Sequence, residues 1–444
     1  MTVTHHTGHV LNIVRQLPDA SVDLVACSPP FLALRDYNGL ADQWGSEPTP
    51  AAFLAHLLEL TTELRRVLAP HGSIAIELGD TFAGSGGHGG DYAEGGLREG
   101  QAKFSGSTKA GRIGRVGQQR DPQGFTGRSS HGAPGGTGWP GAKSLCGTPT
   151  LFAWSLAYGR NLLDPAQTIE PWLVRNVIVW ARNNPPVGAL GDKVRPATSY
   201  ITVATPSPRR WFDLDAVRTA AQQQGTVPSN GPKSKEREAL GIDGAGRYAM
   251  RLDSNPAGAP PLDHWHDQPD GDLLWLINTQ GSNLSHYAMW PPALAERLIL
   301  AMCPAQVCRA CGEPRRRLTE RTPEYAAARA AIGDFKATGE RANGLNGTTQ
   351  YHAGRHIENA ENITIGWSDC GHDNYRPGVV LDPFCGTGTT LAVADILGRD
   401  AVGIDLDPSN RSLYEARWGQ CWRALRPDAG PAPVTAAGVQ GQLL

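Results

Sequence analysis

The stretch Val379-Val380-Leu381-Asp382-Pro383-Phe384-Cys385-Gly386-Thr387-Gly388-Thr389-Thr390 decides the fold of this chain. Its apolar, β-branched beginning is typical of a buried strand, and the residues from Leu391 to Leu397 have a helical pattern. The Gly-x-Gly turn between them lets a ligand approach the backbone, and the helix N-terminus offers it unpaired N–H groups. A strand, a glycine turn and a helix in this order predict a nucleotide-type site.

The residues around this turn limit the kind of ligand that it can bind. A second strand pattern ends at Asp405, 17 residues after Gly388, close to the roughly 20 residues at which a carboxylate reaches ribose hydroxyls. Thr389 stands where a phosphate-binding loop has Lys, and Leu391 stands where a dinucleotide fingerprint has its third Gly. Asp382 accepts hydrogen bonds from an amine and repels a phosphate. The predicted ligand is S-adenosylmethionine, which has a ribose, an amino-acid end and no phosphate; a purely structural turn is the alternative.

A second informative stretch lies near the N-terminus. The residues from Val22 to Ala26 are typical of a buried parallel strand, and Ser28-Pro29-Pro30-Phe31 follows almost directly. Two prolines keep the backbone extended and remove two N–H donors, so nearby carbonyls stay available as acceptors. A hydroxyl, free carbonyls and an aromatic ring predict a pocket for a flat molecule with an amino group, and a rigid turn without a ligand is the alternative.

Together these stretches resemble the motifs of the β-class amino-group DNA methyltransferases, which act on N4 of cytosine or N6 of adenine. Ser28-Pro29-Pro30-Phe31 is similar to their catalytic motif, and residues 382–390 are similar to their cofactor motif. A catalytic motif that precedes the cofactor motif is the permuted order of this class. One position departs from the family pattern: Gly8-His9 stands where members often have Gly-Asp, so no cofactor contact is assigned to His9.

Two further stretches resemble the same family. Residues 175–180, with Asn183 and Pro185, look like the strand and loop that border the target base. His286-Tyr287-Ala288, followed by two prolines, looks like the helix that closes the cofactor pocket.

The resemblance implies a doubly wound, Rossmann-like α/β fold of the S-adenosylmethionine-dependent methyltransferase type. It implies that the cofactor is bound by Asp382, Pro383, Phe384, Gly386, Gly388, Thr389 and Asp405. It implies that the base is held by the catalytic residues Ser28, Pro29, Pro30 and Phe31. The implied partner is double-stranded DNA, from which the base must leave the helix to expose its amine. A Ser in the catalytic motif favours N4 of cytosine over N6 of adenine.

Length, charge and composition limit the class of protein that this chain can be. The chain has 444 residues and a formal net charge of −2, so a nucleic-acid surface has to be local. Neither a long apolar run nor a secretory signal is present, and we expect a soluble, cytoplasmic protein with no membrane partner. A nicotinamide oxidoreductase and a non-catalytic DNA-binding protein are the alternatives from other classes. The recognition sequence, a cognate restriction endonuclease and the oligomeric state stay open.

The cysteines are scattered except for one cluster. Cys308 and Cys311 form a zinc-knuckle pattern, and Cys370 and His372 form a second pair of ligand types. Three thiolates and one imidazole suit tetrahedral zinc, so the sequence predicts a structural zinc site. Cys303 is a rival fourth ligand, and unliganded cysteines beside a polar insertion are the alternative.

Two segments, residues 83–148 and residues 219–271, are polar and rich in glycine. Of the 66 residues from Ala83 to Thr148, 20 are Gly, with eight Lys or Arg against four Asp or Glu. Such a segment buries too little apolar surface to order itself, and a basic flap for the DNA backbone is its functional interpretation. The predicted organisation is a catalytic half in 1–82 and 149–218, a flexible insertion in 83–148, a target-recognition region in 219–272, a cofactor-pocket strand and helix in 273–302, a cysteine-containing insertion in 303–375, a cofactor-binding half in 376–424 and a disordered tail in 425–444. The remaining patterns predict a helix over 53–68 and strands over 73–78, 177–180, 199–205 and 211–213.

Overall fold

The computed structural model describes residues 1–34, 40, 42–83, 137–141, 143–182, 194, 196–217, 264–265, 291–321 and 362–429. Several predicted features lie outside the described residues: most of the insertion 83–148, the target-recognition region apart from residues 264–265, Asn183 and Pro185, residues 286–288, and most of the tail 425–444. Within the described part of the chain, no helix has both the length and the apolar character that a bilayer span requires.

The chain divides into two compact units. The first contains Met1–Asp213, Leu262–Arg315 and Asp369–Leu444, and the second contains Leu214–Pro261 and Arg316–Ser368. The strands of the described residues are β1 (Val3–Thr7), β2 (Val22–Cys27), β3 (Leu68–Leu78), β4 (Arg160–Asn161), β5 (Asp164–Thr168), β6 (Leu173–Ala181), β7 (Thr198–Thr205), β8 (His264–Trp265), β9 (Gln306–Cys308), β10 (Arg317–Arg321), β11 (Asn362–Trp367), β12 (Tyr375–Pro377), β13 (Val379–Asp382) and β14 (Asp400–Asp405).

One sheet organises the first unit. Its eight strands follow the order β1-β14-β13-β2-β3-β7-β6-β8. The five strands from β1 to β3 in this order are parallel to one another, and β7 runs antiparallel to β3 and β6. The strand of the predicted cofactor motif, β13, therefore lies in the middle of the sheet beside β2, which leads into the predicted catalytic motif.

Helices cover both faces of this sheet. The helices of the described residues are α1 (Val10–Val14), α2 (Pro50–Val67), α3 (Thr148–Tyr158), α4 (Pro292–Met302), α5 (Thr389–Ile396) and α6 (Tyr414–Leu425). Helix α2 contacts α1 and α3, and α4, α5 and α6 contact one another as a second group. Two groups of helices around a mostly parallel sheet confirm the predicted doubly wound α/β fold.

The two faces of the sheet pack against different helices. On one face, Val25 and Ile76 join the hydrophobic core that includes α1, α2 and α3. On the other face, α5 lies very close to the sheet at Gly403, where a Cβ atom would approach Leu391 Cδ1 to 2.5 Å and Cys385 Sγ to 2.9 Å. The small residue lets the helix after the glycine turn pack directly onto β14.

The predicted limits of the helix and strands are confirmed for most elements and wrong at two places. Among the confirmed ones, helix α2 begins near its predicted start, because the Thr49 hydroxyl accepts a hydrogen bond from the Ala52 N–H at 3.1 Å. Pro70-His71-Gly72 does not separate this helix from the next strand: β3 already begins at Leu68, and a register shift in its pairing with β2 absorbs these residues. Residues 211–213 form no strand, because their N–H groups bond to separate carbonyls, such as Trp211 to His71 at 2.9 Å.

The second unit contains an antiparallel pair of strands, β10 and β11. Arg317 pairs with Trp367 across this ribbon, and its guanidinium lies 5.0 Å from the centre of the indole ring. Such a cation–π contact contributes about 0.5–1 kcal/mol at an exposed site.

A buried carboxylate at the amino end of β2 connects the sequence-distant parts of the sheet. Asp23 is fully buried and accepts hydrogen bonds from His71 Nε2 at 2.8 Å, Arg376 Nη1 at 2.5 Å and the Val379 N–H at 2.7 Å. Burial by itself raises the pKa of Asp23, but the hydrogen bonds from His71 and Arg376 outweigh burial and hold the pKa below its usual range. The ionised carboxylate thus holds the start of β13 against β2 and β3.

We expect Asp23→Asn to lower the free energy of unfolding at pH 7 by about 3–5 kcal/mol, because it leaves Arg376 without its buried partner. A carboxylate with a lowered pKa stabilises the folded state above its ordinary pKa of about 3.9, and this contribution disappears as the pH falls below that value. Urea unfolding at pH 7, 5 and 3.5 should therefore show the difference between the variant and the parent shrinking at acid pH. Asp19→Asn is the matched control, because Asp19 forms an exposed pair with Arg66 and such pairs contribute about 0–1 kcal/mol. If both variants lost the same free energy of unfolding, Asp23 would stabilise the fold no more than an exposed ion pair does.

Candidate functional site

The sheet brings the two predicted motifs to the same edge. Leu381 of β13 pairs with Val25 of β2, so both strands end at neighbouring positions. Asp382 ends β13, and Ser28 comes directly after β2. Carboxyl ends of parallel strands form the ligand edge of doubly wound sheets, and both motifs lie at this edge, which makes it the candidate site.

Two glycines shape the predicted catalytic motif. A Cβ atom on Gly79 would come within 2.5 Å of the Phe31 ring, and one on Gly45 would come within 2.8 Å of the Phe31 carbonyl oxygen. The Ala33 N–H donates to the Gly45 carbonyl at 2.7 Å. Pro29 is buried, and Ser28, Pro30 and Phe31 are half-buried at the edge. Gly79 and Gly45 were missed in the sequence; the position of Gly79, directly after the strand pattern 73–78, was the available signal.

The predicted cofactor turn is held in its shape by Asp405. Gly386 and Gly388 have φ angles of +52° and +83°, which favour glycine. The Gly386 N–H donates to Asp405 Oδ2 at 2.8 Å, and Asp405 Oδ1 accepts from the Asp407 N–H at 2.8 Å and from Asn410 Nδ2 at 3.0 Å. Asp405 therefore organises the turn as well as standing at the strand end where ribose hydroxyls are expected.

Two of the predicted cofactor residues contact α6. A Cβ atom on Gly388 would lie 2.7 Å from the Tyr414 ring, so close packing against α6 explains this glycine. The Thr389 hydroxyl accepts a hydrogen bond from Arg417 Nε at 2.8 Å. Pro383 is buried and Phe384 is half-buried beside them. The packing gives Gly388 and Thr389 an internal role, and their contact with a cofactor stays a prediction.

Asp382 has an unusual environment for a carboxylate. Its Oδ1 accepts from the Phe384 N–H at 3.0 Å, and the Thr390 hydroxyl also donates to it. Burial raises the pKa of Asp382 to about 7, and the neighbouring charge of Asp405 acts in the same direction, while these hydrogen bonds oppose the change. A cationic group placed beside such a carboxylate stabilises its ionised form and so lowers its pKa.

A loop between the two motifs was also missed. Trp44 is buried and lies against Phe384, with 5.3 Å between ring centres, and it stacks on His56 at 5.4 Å. Glu47 accepts from the Gly45 N–H at 2.8 Å, and one of its oxygens lies 3.0 Å from His56 Nδ1. Trp44 thus connects the Gly45 turn under the catalytic motif to the aromatic residue of the cofactor motif. A lone Trp in a polar segment carries no sequence signal for this role.

A buried carboxylate follows the last residue pair of β2 and β3. Cys27 pairs with Ile76, Ser28 comes directly after Cys27, and Glu77 comes directly after Ile76. Glu77 is buried, and its Oε1 finds no hydrogen-bond donor among the residues that the structure describes. In the strand pattern, Glu77 looked like an ordinary alternating polar residue, so nothing in the sequence distinguished it.

The insertion leaves and rejoins the fold at this same edge. Asp80 accepts hydrogen bonds from the Gly147 N–H at 3.0 Å and the Thr148 N–H at 3.3 Å, at the beginning of α3. The Cys146 N–H donates to the Thr81 carbonyl at 2.9 Å. Both ends of the glycine-rich insertion are therefore fixed next to Gly79 and the Phe31 ring.

The predicted metal ligands meet at the other edge. The ligand atoms of Cys308, Cys311, Cys370 and His372 all lie within 4.8 Å of one another. A hydrogen bond from His372 lowers the pKa of the Cys370 thiol to about 6, which favours the thiolate that binds metals. Cys303 is fully buried and is not part of this group, so of the two rivals His372 is the one that joins the cysteines.

Comparisons with known proteins identify a family and relatives that this chain resembles. A family model described as DNA methylase, of the N6 and N4 type, matches residues 22–306 and 374–415. The Type II methyltransferase M.Cfr9I of Citrobacter freundii is 26% identical over 218 residues, which are 49% of this chain and 59% of the relative. M.SmaI of Serratia marcescens is 21% identical over 410 residues, which are 92% of this chain and 88% of the relative. The match thus spans less than two thirds of the length of M.Cfr9I and most of the length of M.SmaI.

Solved structures provide a further comparison. The structure of PvuII DNA methyltransferase, described as cytosine-N4-specific, matches with 11% identity and a TM-score of 0.43, over 96% of this chain and 94% of that chain.

We expect Gly79→Ala to lower the free energy of unfolding by about 1–3 kcal/mol, because its methyl group overlaps the Phe31 ring. Gly141→Ala is the control, since a Cβ atom there meets nothing within 4 Å, and its effect should stay within about 0.5 kcal/mol. In a double-mutant cycle measured by urea unfolding, Phe31→Ala should relieve part of the Gly79→Ala loss. Strict additivity of the two changes would show that Gly79 does not support the ring.

Proposed function

Because the chain belongs to the DNA methylase family whose model matches residues 22–306 and 374–415, we propose that it is a site-specific DNA methyltransferase. It transfers a methyl group from S-adenosylmethionine to the exocyclic amine of a base in double-stranded DNA. One observation carries this proposal: Ser28-Pro29-Pro30-Phe31 and the Asp382 turn follow neighbouring parallel strands at one sheet edge. The likeness to Type II methyltransferases supports a role in site-specific modification.

The donor groups at this edge fit the proposed cofactor. The buried Asp382 carboxylate suits the ammonium of an amino-acid end, because a cation there offsets the free energy of ionising a buried acid. Asp405 lies at the end of the neighbouring strand. Its Oδ1 already accepts two hydrogen bonds, but its Oδ2 keeps a lone pair for a ribose hydroxyl beyond the bond from the Gly386 N–H. Phe384 and Trp44 offer an apolar wall beside them. S-adenosylmethionine, when bound, supplies a methyl group on a positively charged sulfur.

The catalytic motif would hold the base by stacking and by acceptors. The amine of a paired base is inside the duplex, so the base must leave the helix before it can enter this pocket. The Phe31 ring would stack on the base, while Gly79 behind it fixes the plane of the ring. The Ser28 hydroxyl and the Pro29 carbonyl would accept the hydrogens of the amine, which directs its lone pair away from the ring. Such work is positioning and charge placement and requires no covalent bond to the protein.

We place the target at N4 of cytosine, with N6 of adenine as the alternative. The Ser at position 28, where adenine enzymes more often have Asp, favours cytosine. Single-molecule sequencing of DNA from cells that express the chain gives both the base and its sequence context. Methylated adenine would correct the base while keeping the enzyme class, and unmodified DNA from a folded, cofactor-binding protein would favour the non-catalytic alternative.

The Phe31 variants test the base pocket. Phe31→Ala should abolish most methyl transfer and keep S-adenosylmethionine affinity, since stacking contributes about 1–3 kcal/mol per base and misalignment lowers the rate further. Phe31→Tyr should stay active because the ring face is kept. Phe31→Leu is the matched control for packing: it retains apolar volume over Gly79 but has no π-face, so it should melt near the parent temperature and methylate at an intermediate rate.

Thermal melting, cofactor titration and a methyl-transfer assay on these three variants separate the pocket from a structural role. A purely structural Phe31 would give Ala and Leu variants whose activity follows their stability. A Phe31→Ala variant that methylates DNA at the parent rate would remove this pocket as the base site.

The raised pKa of Asp382 predicts a pH dependence of cofactor binding. The ionised carboxylate binds an ammonium and the protonated form does not, so affinity should rise with pH across the pKa of about 7. Between pH 6 and pH 7 the ionised fraction rises by about fivefold, while an α-amino group with its ordinary pKa of about 7.7–8.0 stays mostly charged, and isothermal titration should show a change of that size. In Asp382→Asn the affinity should be weaker, and this rise with pH should be absent. If the parent and the variant have the same pH profile, Asp382 does not bind the ammonium.

A further inference from the structure

The Cys308, Cys311, Cys370 and His372 group has the dimensions of a metal site. His372 Nδ1 lies 3.6 Å from Cys308 Sγ and 3.3 Å from Cys370 Sγ. In a tetrahedral site with zinc–sulfur distances of about 2.3 Å, neighbouring ligand atoms are separated by about 3.5–3.8 Å. Three sulfurs and one imidazole nitrogen, all within 4.8 Å of one another, match the donor set of a closed, structural zinc site, and the two His372 distances match its size.

The backbone around these ligands is built for two tight turns. Gly312 follows Cys311 with a φ of +73°, and Gly371 stands between Cys370 and His372 with a φ of +79°. The Gly312 N–H donates to the Cys308 carbonyl at 3.0 Å and closes the first turn. Glycine adopts these angles without strain. Two turns that each present a pair of ligands are the backbone form that tetrahedral zinc uses in knuckles.

The turns are joined by a short antiparallel ribbon that continues toward the centre of the sheet. Strands β9 and β12 pair Cys308 with Tyr375 and Val307 with Arg376. Arg376 binds the buried Asp23 through both Nη atoms, at 2.5 and 3.0 Å. Two residues after β12 ends, the Val379 N–H also donates to Asp23, and β13 begins. The ligand cluster is therefore connected to the entry of β13 through three successive contacts.

We propose that these four residues bind a structural zinc ion, and that the ion holds β12 so that Arg376 and Val379 fix β13 against β2. The four protein donors complete a tetrahedron, so the ion has no open position for chemistry. The cluster precedes β13 and lies at the amino edge of the sheet, whereas Ser28 and Asp382 follow the carboxyl ends. The ion acts on the ligand edge only through the position of β13, and the proposal is independent of methyl transfer.

Metal content of the untagged, full-length chain is the first measurement. Elemental analysis after growth with zinc should find close to one zinc ion per chain. Cys370→Ser and Cys311→Ser should lose it, and Cys303→Ser should keep it, because Cys303 is a buried cysteine outside the cluster. A metal-free parent protein that takes up no zinc on reconstitution would overturn the site, and zinc loss in Cys303→Ser would overturn the choice of ligands.

Hydrogen exchange tests the connection to β13 without any cofactor. Removing zinc with a chelator should speed amide exchange in Val380 and Leu381 by about tenfold, the factor that a modest local destabilisation gives. Arg376→Gln should speed the same amides while it retains zinc, because it breaks the connection beyond the metal. Strand β10, in the other compact unit, serves as the internal reference. If zinc removal leaves β13 exchange unchanged, the ion stabilises only its own turns, and the coupling is wrong.

Discussion

The arrangement of the central sheet depends on the ionised carboxylate of Asp23. Strand β13 comes from the last quarter of the chain but pairs with β2 near its beginning, so chain connectivity contributes little to this pairing. Asp23 accepts hydrogen bonds from Arg376 and from the Val379 N–H, the residues through which the chain enters β13. A buried charge needs its partners in place. Because the ligand turn begins where β13 ends, the position of Asp382 follows from the same contacts.

The two edges of the sheet have different kinds of polar side chains. Within the described part of the chain, those at the amino edge are paired within the protein, and some at the carboxyl edge are not. The amino edge has a paired carboxylate, a salt bridge to Arg376 and the cysteine cluster. The carboxyl edge has Asp382, whose pKa burial raises to about 7, and Glu77, with one oxygen lacking a hydrogen-bond donor among the described residues. Fully paired charges stabilise a fold, whereas incompletely paired ones are available to a ligand. This contrast makes the carboxyl edge the candidate functional edge independently of any motif.

Several motif residues shape the protein as well as facing the proposed ligand. Gly388 is required by the Tyr414 ring and Gly403 by Leu391, and both allow α5 and α6 to pack closely. Asp405 binds the Gly386 N–H and thereby fixes the turn. A substitution at these positions alters the packing of the protein whether or not the residue also contacts the proposed ligand. Phe31 and Asp382 can be replaced by residues of similar size, such as Leu and Asn. Variants at these two positions therefore separate a loss of function from a loss of packing more directly.

The sequence by itself determined the fold class, the two motifs, their permuted order and the cysteine cluster. Each depends on local signals: apolar periodicity, prolines or glycines at a turn, and ligand types at short spacing. The tertiary structure alone decided that His372 and not Cys303 joins the cysteines, that Gly79 and Gly45 support Phe31, and that Trp44 bridges the motifs. It also showed that Glu77 is buried directly after the Cys27–Ile76 pair and that β3 begins at Leu68. These features arise from strand register and close contacts between distant residues, and a linear sequence encodes register only through the packing of the whole sheet.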